Sequence, residues 1–182
     1  MKDFSVRAVH CDHRASDEEV YQSLVRATAP LSRAWDKLQK ADRIAIKFNM
    51  AHLKVPQFEG RRRELVDEAT ARAVLRLLRE RTTASLVATD THGFNAAGEL
   101  SPYLNYLHLL QEFGVEYAES NLAPFAEYEV PGGGYMFQRY TLNECFREAD
   151  EVISVAKMKN HGFMGLTLCT KNLFGITPTI RP

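Results

Sequence analysis

Cysteine is scarce in this chain: Cys11, Cys145 and Cys169 are odd in number and far apart, and no C-x-x-C pair occurs. That argues against a disulfide framework and against a zinc or iron–sulfur knuckle built from its own thiols, and it fits a reducing, cytoplasmic setting. Charge of one sign is lacking too. Twenty-three Lys plus Arg offset 23 Asp plus Glu, so no global field draws the chain to nucleic acid or to a membrane, and any cationic site must be local. Long apolar runs are also missing. The opening residues, MKDFSVRAVHCDHR, hold no uninterrupted apolar h-region, and no segment approaches the ~20 apolar residues of a membrane span. The sequence therefore predicts neither export nor a membrane span. What is present is ordinary for a folded protein: 182 residues, 45% apolar and 25% charged, enough for one domain with a sizeable core.

The apolar periodicity alternates between strand and helix. Phe4 to His10 reads as a first strand, and Ser16-x-x-Glu19 is a capping-box pattern that predicts a helix from Asp17 fading by Pro30. Arg43 to Phe48 is β-rich, Arg63 to Arg81 repeats apolar residues at helical spacing, and Ser85 to Thr89 is a further strand. Ser101-Pro102 predicts a helix entry, with Tyr103, Leu104, Leu107, Leu110 and Phe113 as its face and Gly114 as its end, followed by a strand over Val115 to Ala118. Pro131 and Gly132 to Gly134 separate two β-rich runs, which predicts a β-hairpin insertion around 127–140. Thr141-x-x-Glu144 is a second capping-box pattern for a short helix to Ala149, and Val152 to Ala156 is the last apolar strand. Strands and helices alternating in this way predict a single α/β domain over residues 1–182, with a mainly parallel sheet flanked by helices.

In such a sheet, ligands bind beyond the carboxyl ends of the strands. Three predicted strands end in polar groups: Lys47 and Asn49, Asp90 and His92, and Lys157, Lys159 and His161. They are expected to share one rim. Asn49, Asp90 and His92 are ordinary turn residues when taken singly, but a lysine in the apolar strand IAIKF needs a partner or a ligand anion.

The stretch KMKNHGFMGLTLCTKNLFG is densest in chemistry. Lys157, Lys159 and His161 supply cationic or proton-donating groups, and Gly162 and Gly165 allow the backbone to approach a ligand. A helix is expected from Leu166, placing Thr167, Thr170, Lys171 and Phe174 on one face and Leu166, Cys169 and Leu173 on another. Its free N–H groups, with Lys159, His161 and Lys171, would attract phosphate or carboxylate. Weaker candidates are the His10–Cys11–Asp12–His13 cluster, whose neighbours would point to opposite faces, and Arg61 to Arg63, expected to be a solvated surface.

These residues resemble a known family, the domain-of-unknown-function family 362. Its K-x-K-T-H, threonine and K-N-x-F-G pattern stands here as Lys157, Lys159, His161, Thr167, Lys171, Asn172, Phe174 and Gly175, with Asn160 replacing threonine and Ala156 the preceding proline. IAIKFN is similar to the family's I-K-P-N strand end, with Lys47 and Asn49 matching and Phe48 replacing proline; ATDTHG is similar to its G-D-S strand end, with Asp90 matching and Thr91 in place of serine. The resemblance runs in order over residues 5–178. It implies that this is either a short member or the N-terminal portion of a longer family domain, with a second subunit or missing C-terminal half completing the site. Some members are fused to ferredoxin-like iron–sulfur modules, but this chain has no iron–sulfur cysteine motif, and no other cofactor is implied.

Three functions are compatible with these readings. One is a protein binding a small anionic metabolite through Lys47, Asn49, Lys157, Thr167, Lys171 and Asn172, with His161 as acid or base, Lys159 on the anion and Asp90 orienting them. Another is a metal-dependent enzyme using Asp90, His92 and His161. The third is a non-catalytic partner subunit of an iron–sulfur redox protein.

Overall fold

The computed structural model of the protein describes residues 6–49, 55–91 and 105–178. Residues 6–14 run without regular structure and exposed, so the predicted first strand does not form over its described part; no strand among the described residues pairs with them. The first helix, α1 (Asp17–Thr28), starts as predicted. The Ser16 side chain accepts from the Glu19 amide and the Glu19 carboxylate accepts from the Ser16 amide, satisfying two of the donors a helix start leaves over. A short α2 (Ser32–Leu38) follows.

The chain then enters β1 (Arg43–Lys47), passes through the small ribbon of β2 (Gln57–Phe58) and β3 (Arg61–Arg62), and forms α3 (Glu68–Arg81). This helix begins five residues later than predicted, because Asp67 caps it by accepting from the Ala69 amide. Next come β4 (Ser85–Asp90), α4 (Leu107–Glu112) and β5 (Glu116–Glu119). The predicted helix entry at Ser101-Pro102, its Tyr103 and Leu104, and the strand-end His92 lie outside the described residues.

The hairpin is formed by β6 (Phe125–Glu129) and β7 (Arg139–Asn143), antiparallel, with Gly132 and Gly133 at positive φ in the connection. Thr141 is a rung of this ladder, opposite Glu127, and so cannot open a helix; Asn143 instead accepts from the Cys145 amide at the start of α5 (Cys145–Glu148). The last elements are β8 (Glu151–Ser154), β9 (Lys159–His161), β10 (Gly165–Thr167), α6 (Cys169–Asn172) and a 3₁₀ turn over Leu173–Ile176.

Four strands form one all-parallel sheet in the order β5-β4-β1-β8. Alternation assigns its two faces. Ile44, Ile46, Phe48, Leu86 and Ala88 point into the main core with Val74, Leu75 and Leu78 of α3; Ala45 and Val87 point the other way, against Cys145 and Phe146 of α5 and Ile176. The α/β architecture with a parallel sheet between helices is therefore as the alternation predicts. All four carboxyl ends lie on one edge, and residues 157–175 follow the end of β8.

Candidate functional site

Lys47 ends β1 with its side chain 1% exposed. Its ammonium has three partners for its three protons: the Asp90 carboxylate at 2.6 Å, the Phe48 carbonyl at 2.7 Å and the Asn172 Oδ1 at 3.2 Å. Asn172 closes the other side, its amide donating to the Lys47 carbonyl at 3.0 Å, the Ser154 hydroxyl at 3.1 Å and the Val155 carbonyl at 3.3 Å. Asp90 also accepts from the Thr91 amide at 2.8 Å. The ends of β1, β4 and β8 are thus tied to α6 by one buried polar cluster.

Gly175 lies directly over that cluster. A Cβ there would stand 2.8 Å from the Asp90 Oδ1 and 3.1 Å from the Lys47 Nζ, so the glycine is required by close approach and not by its backbone angles. Burial presses the Lys47 ammonium below its ordinary value, and the neighbouring Lys171 charge adds to this, while Asp90 opposes both.

Beyond β8 the chain forms a hairpin, which takes the start of the helix expected from Leu166. Lys159 pairs with Thr167 and His161 with Gly165. Paired residues share a face, as do residues two apart, so Lys159, His161 and Thr167 occupy one face and Asn160 and Leu166 the other. Gly165 takes φ +71°, a conformation that glycine adopts without strain. The ring of His161 stabilises the turn, its Nδ1 accepting from the Phe163 and Met164 amides at 3.2 Å each. A neutral ring held in this way carries its proton on Nε2 and offers that atom as a donor. The helix expected from Leu166 starts only at Cys169 and lasts four residues, because Leu166 and Thr167 are committed to the ladder; the anticipated row of free helix N–H groups is not built.

Lys159 and His161 line a cleft of about 550 Å³ with Arg63, Glu64, Met158, Asn160 and Gly162. Lys159 is half-buried, and this lowers its ammonium below the usual value, with Lys171 acting in the same direction and Glu64 and Asp90 acting against it. Lys171 places its ammonium 4.5 Å from the centre of the Phe174 ring. Lys157 is half-buried just after β8. Asn49 and Thr167 are buried, and the Asn49 Oδ1 and Thr167 Oγ1 find no hydrogen-bond partner.

The structure therefore separates the predicted residues into two groups. Lys47, Asp90 and Asn172 form the buried cluster, and Lys159 and His161 face the cleft, with Lys171 near enough to act on the charges of both. Sequence reasoning missed the cleft's other wall. Of the run expected to be solvated, Arg61 is held by Asp67 and the His13 carbonyl and Arg62 stacks 4.5 Å from the Tyr106 ring, whereas Arg63 is exposed as expected and lines the cleft. The visible signal was that the run precedes a helix entering the same sheet edge. Among the described residues no group of three His, Cys, Asp or Glu side chains could hold a metal ion, and His92 lies outside them.

A crystal structure of a DUF89 family protein from Pyrococcus horikoshii covers 68% of this chain and 35% of its own, with a TM-score of 0.37 and 11% identity. A thylakoid-associated protein of Synechocystis sp. is 29% identical over 161 residues, which are 86% of this chain. The chain spans about half of that relative, 46% of its length. No helix among the described residues is long and apolar enough to cross a membrane. The model of one family matches residues 44–181, from β1 through the K-N-x-F-G segment, and the chain belongs to that family, the domain of unknown function DUF362.

Proposed function

We propose that the protein binds a small anionic metabolite, a carboxylate or a phosphate ester, in the cleft beside the β9–β10 hairpin. The observation that carries this reading is the placement of Lys159 and His161 on one hairpin face, opening with Arg63 into the same cleft. Lys159 supplies the charge, Arg63 a planar set of donors suited to a carboxylate or phosphate, and His161 a single N–H from Nε2. Thr167, opposite Lys159, adds a buried hydroxyl with no partner of its own.

In this reading Lys47, Asp90 and Asn172 position the site and do not touch the ligand, since the three protons of the Lys47 ammonium already have acceptors within the protein. If the bound molecule reacts, the His161 Nε2–H is the donor placed to hydrogen-bond an oxygen on which negative charge develops. The test is calorimetric titration with phosphate, phosphate monoesters and mono- and dicarboxylates. Binding is expected for the wild type and about tenfold or more weaker for Lys159→Ala and Arg63→Ala. Equal binding by both variants and the wild type, or no binding of any anion, would refute the assignment.

A further inference from the structure

The functional stretch carries a second surface that the metabolite reading does not use. Phe163, Met164 and Phe174 are 96%, 62% and 63% exposed, and Leu166 and Leu168 are exposed too. Phe163 and Met164 form the turn of the β9–β10 hairpin, so the most exposed apolar side chain of this stretch stands at a hairpin tip. The segment that bears the tip carries charge of one sign. From Val152 to Pro182 there is no Asp or Glu, while Lys157, Lys159, Lys171 and Arg181 fall in that span. Because the whole chain is neutral, the residues before it carry the compensating negative excess.

We propose that this hairpin and α6 dock the protein on an anionic bilayer surface. Phe163 and Met164 enter the boundary between headgroups and acyl chains, and Lys157 and Lys171 lie against lipid phosphates. An apolar tip flanked in the chain by Lys157, Lys159 and Lys171 is complementary to that surface, with Glu64 as the one acidic side chain lining the neighbouring cleft, and a long apolar helix is not needed. The expectation of no membrane contact rested on whole-chain charge, which conceals this segregation. The inference does not depend on the metabolite reading, for Lys159, His161 and Arg63 remain at the cleft.

The test is co-sedimentation of the full chain with vesicles of phosphatidylglycerol and phosphatidylcholine in equal parts, against vesicles of phosphatidylcholine alone. Binding is expected to the first, weakening as salt rises, and not to the second. The double variant F163S/M164S should bind at least tenfold more weakly with its thermal unfolding unchanged, since both side chains lie outside the core; Lys157→Gln should lose about fivefold. If the double variant does not fold, Phe163→Ser alone carries the comparison. Wild-type protein remaining in the supernatant with the anionic vesicles at low salt would overturn the proposal. So would equal binding by the tip variant, or self-association that the tip variant abolishes in a chain that ignores vesicles.

Discussion

Replacing Gly175 with alanine tests the buried cluster with a single methyl group. The new carbon would sit 2.8 Å from the Asp90 Oδ1, 3.1 Å from the Lys47 Nζ and 3.2 Å from the Lys47 Cε, where ordinary contact needs about 3.5 Å or more. Neither partner can yield cheaply. Moving the ammonium stretches its 2.6 Å pairing with Asp90 and its bonds to the Phe48 carbonyl and Asn172, and moving the turn disturbs Ile176, which packs on Ala45 and Val87. Overpacking of this kind costs about 1–3 kcal/mol. The stiffer unfolded chain returns about 0.4–1 kcal/mol, leaving a net loss centred on about 1.3 kcal/mol.

With a urea slope of about 2 kcal/mol per molar, the unfolding midpoint should fall by about 0.5–1 M. Trp35, the chain's one tryptophan and buried, gives the fluorescence signal. Gly162→Ala is the internal control. No atom lies within 4 Å of its added carbon and its φ is not positive, so its midpoint should match or slightly exceed that of the wild type. If Gly175→Ala unfolds at the wild-type midpoint or above it, the close approach described here is wrong.

Other outcomes follow from the same geometry. Asn172→Ala removes donors from the Lys47 and Val155 carbonyls and an acceptor from a buried ammonium, so chemical denaturation should show a loss of about 2–3 kcal/mol. A loss below about 0.5 kcal/mol would contradict it. Burial pushes the Cys145 thiol up to about 11, whereas Cys11 and Cys169 are exposed; a disulfide reagent at neutral pH should titrate two thiols promptly and the third only on unfolding. In the proposed site Lys159 would hold an anion as the ammonium, and its lowered value means that the charge is lost at a lower pH than for an ordinary lysine. Anion affinity should therefore decline as pH rises towards the ordinary lysine range, and Lys159→Arg should hold its affinity across that interval in calorimetric titrations.

The sheet was legible because its strands are short apolar runs, and the polar groups that end them were legible because a buried lysine in IAIKF has few explanations. The explanation realised, however, is a partner within the chain. Asp90 lies 43 positions away and Asn172 lies 125 positions away, and no local pattern states that they meet Lys47. The K-x-K-x-H stretch was read as a loop before a helix, since Leu166 to Phe174 has helical spacing. Gly165 at positive φ and three cross-strand pairs decide instead for a hairpin, a competition settled by tertiary pairing that periodicity does not register. The second capping box failed for a similar reason, with Thr141 taken by a strand partner. The role of Gly175 could not be read at all, because a glycine at an ordinary φ shows its reason only once its neighbours are placed.

The bond from Asn172 to the end of β1 joins residues 125 positions apart and imposes an order in time. As the chain leaves the ribosome, Lys47 and Asp90 can meet once β4 is made, whereas the side chain that completes their enclosure emerges more than eighty residues later. Until then a lysine and an aspartate wait at an open strand end. The cleft beyond them, whose hairpin leads into α6, is among the last parts of the described chain to take shape, so a slow or interrupted final segment would leave a folded sheet without a site.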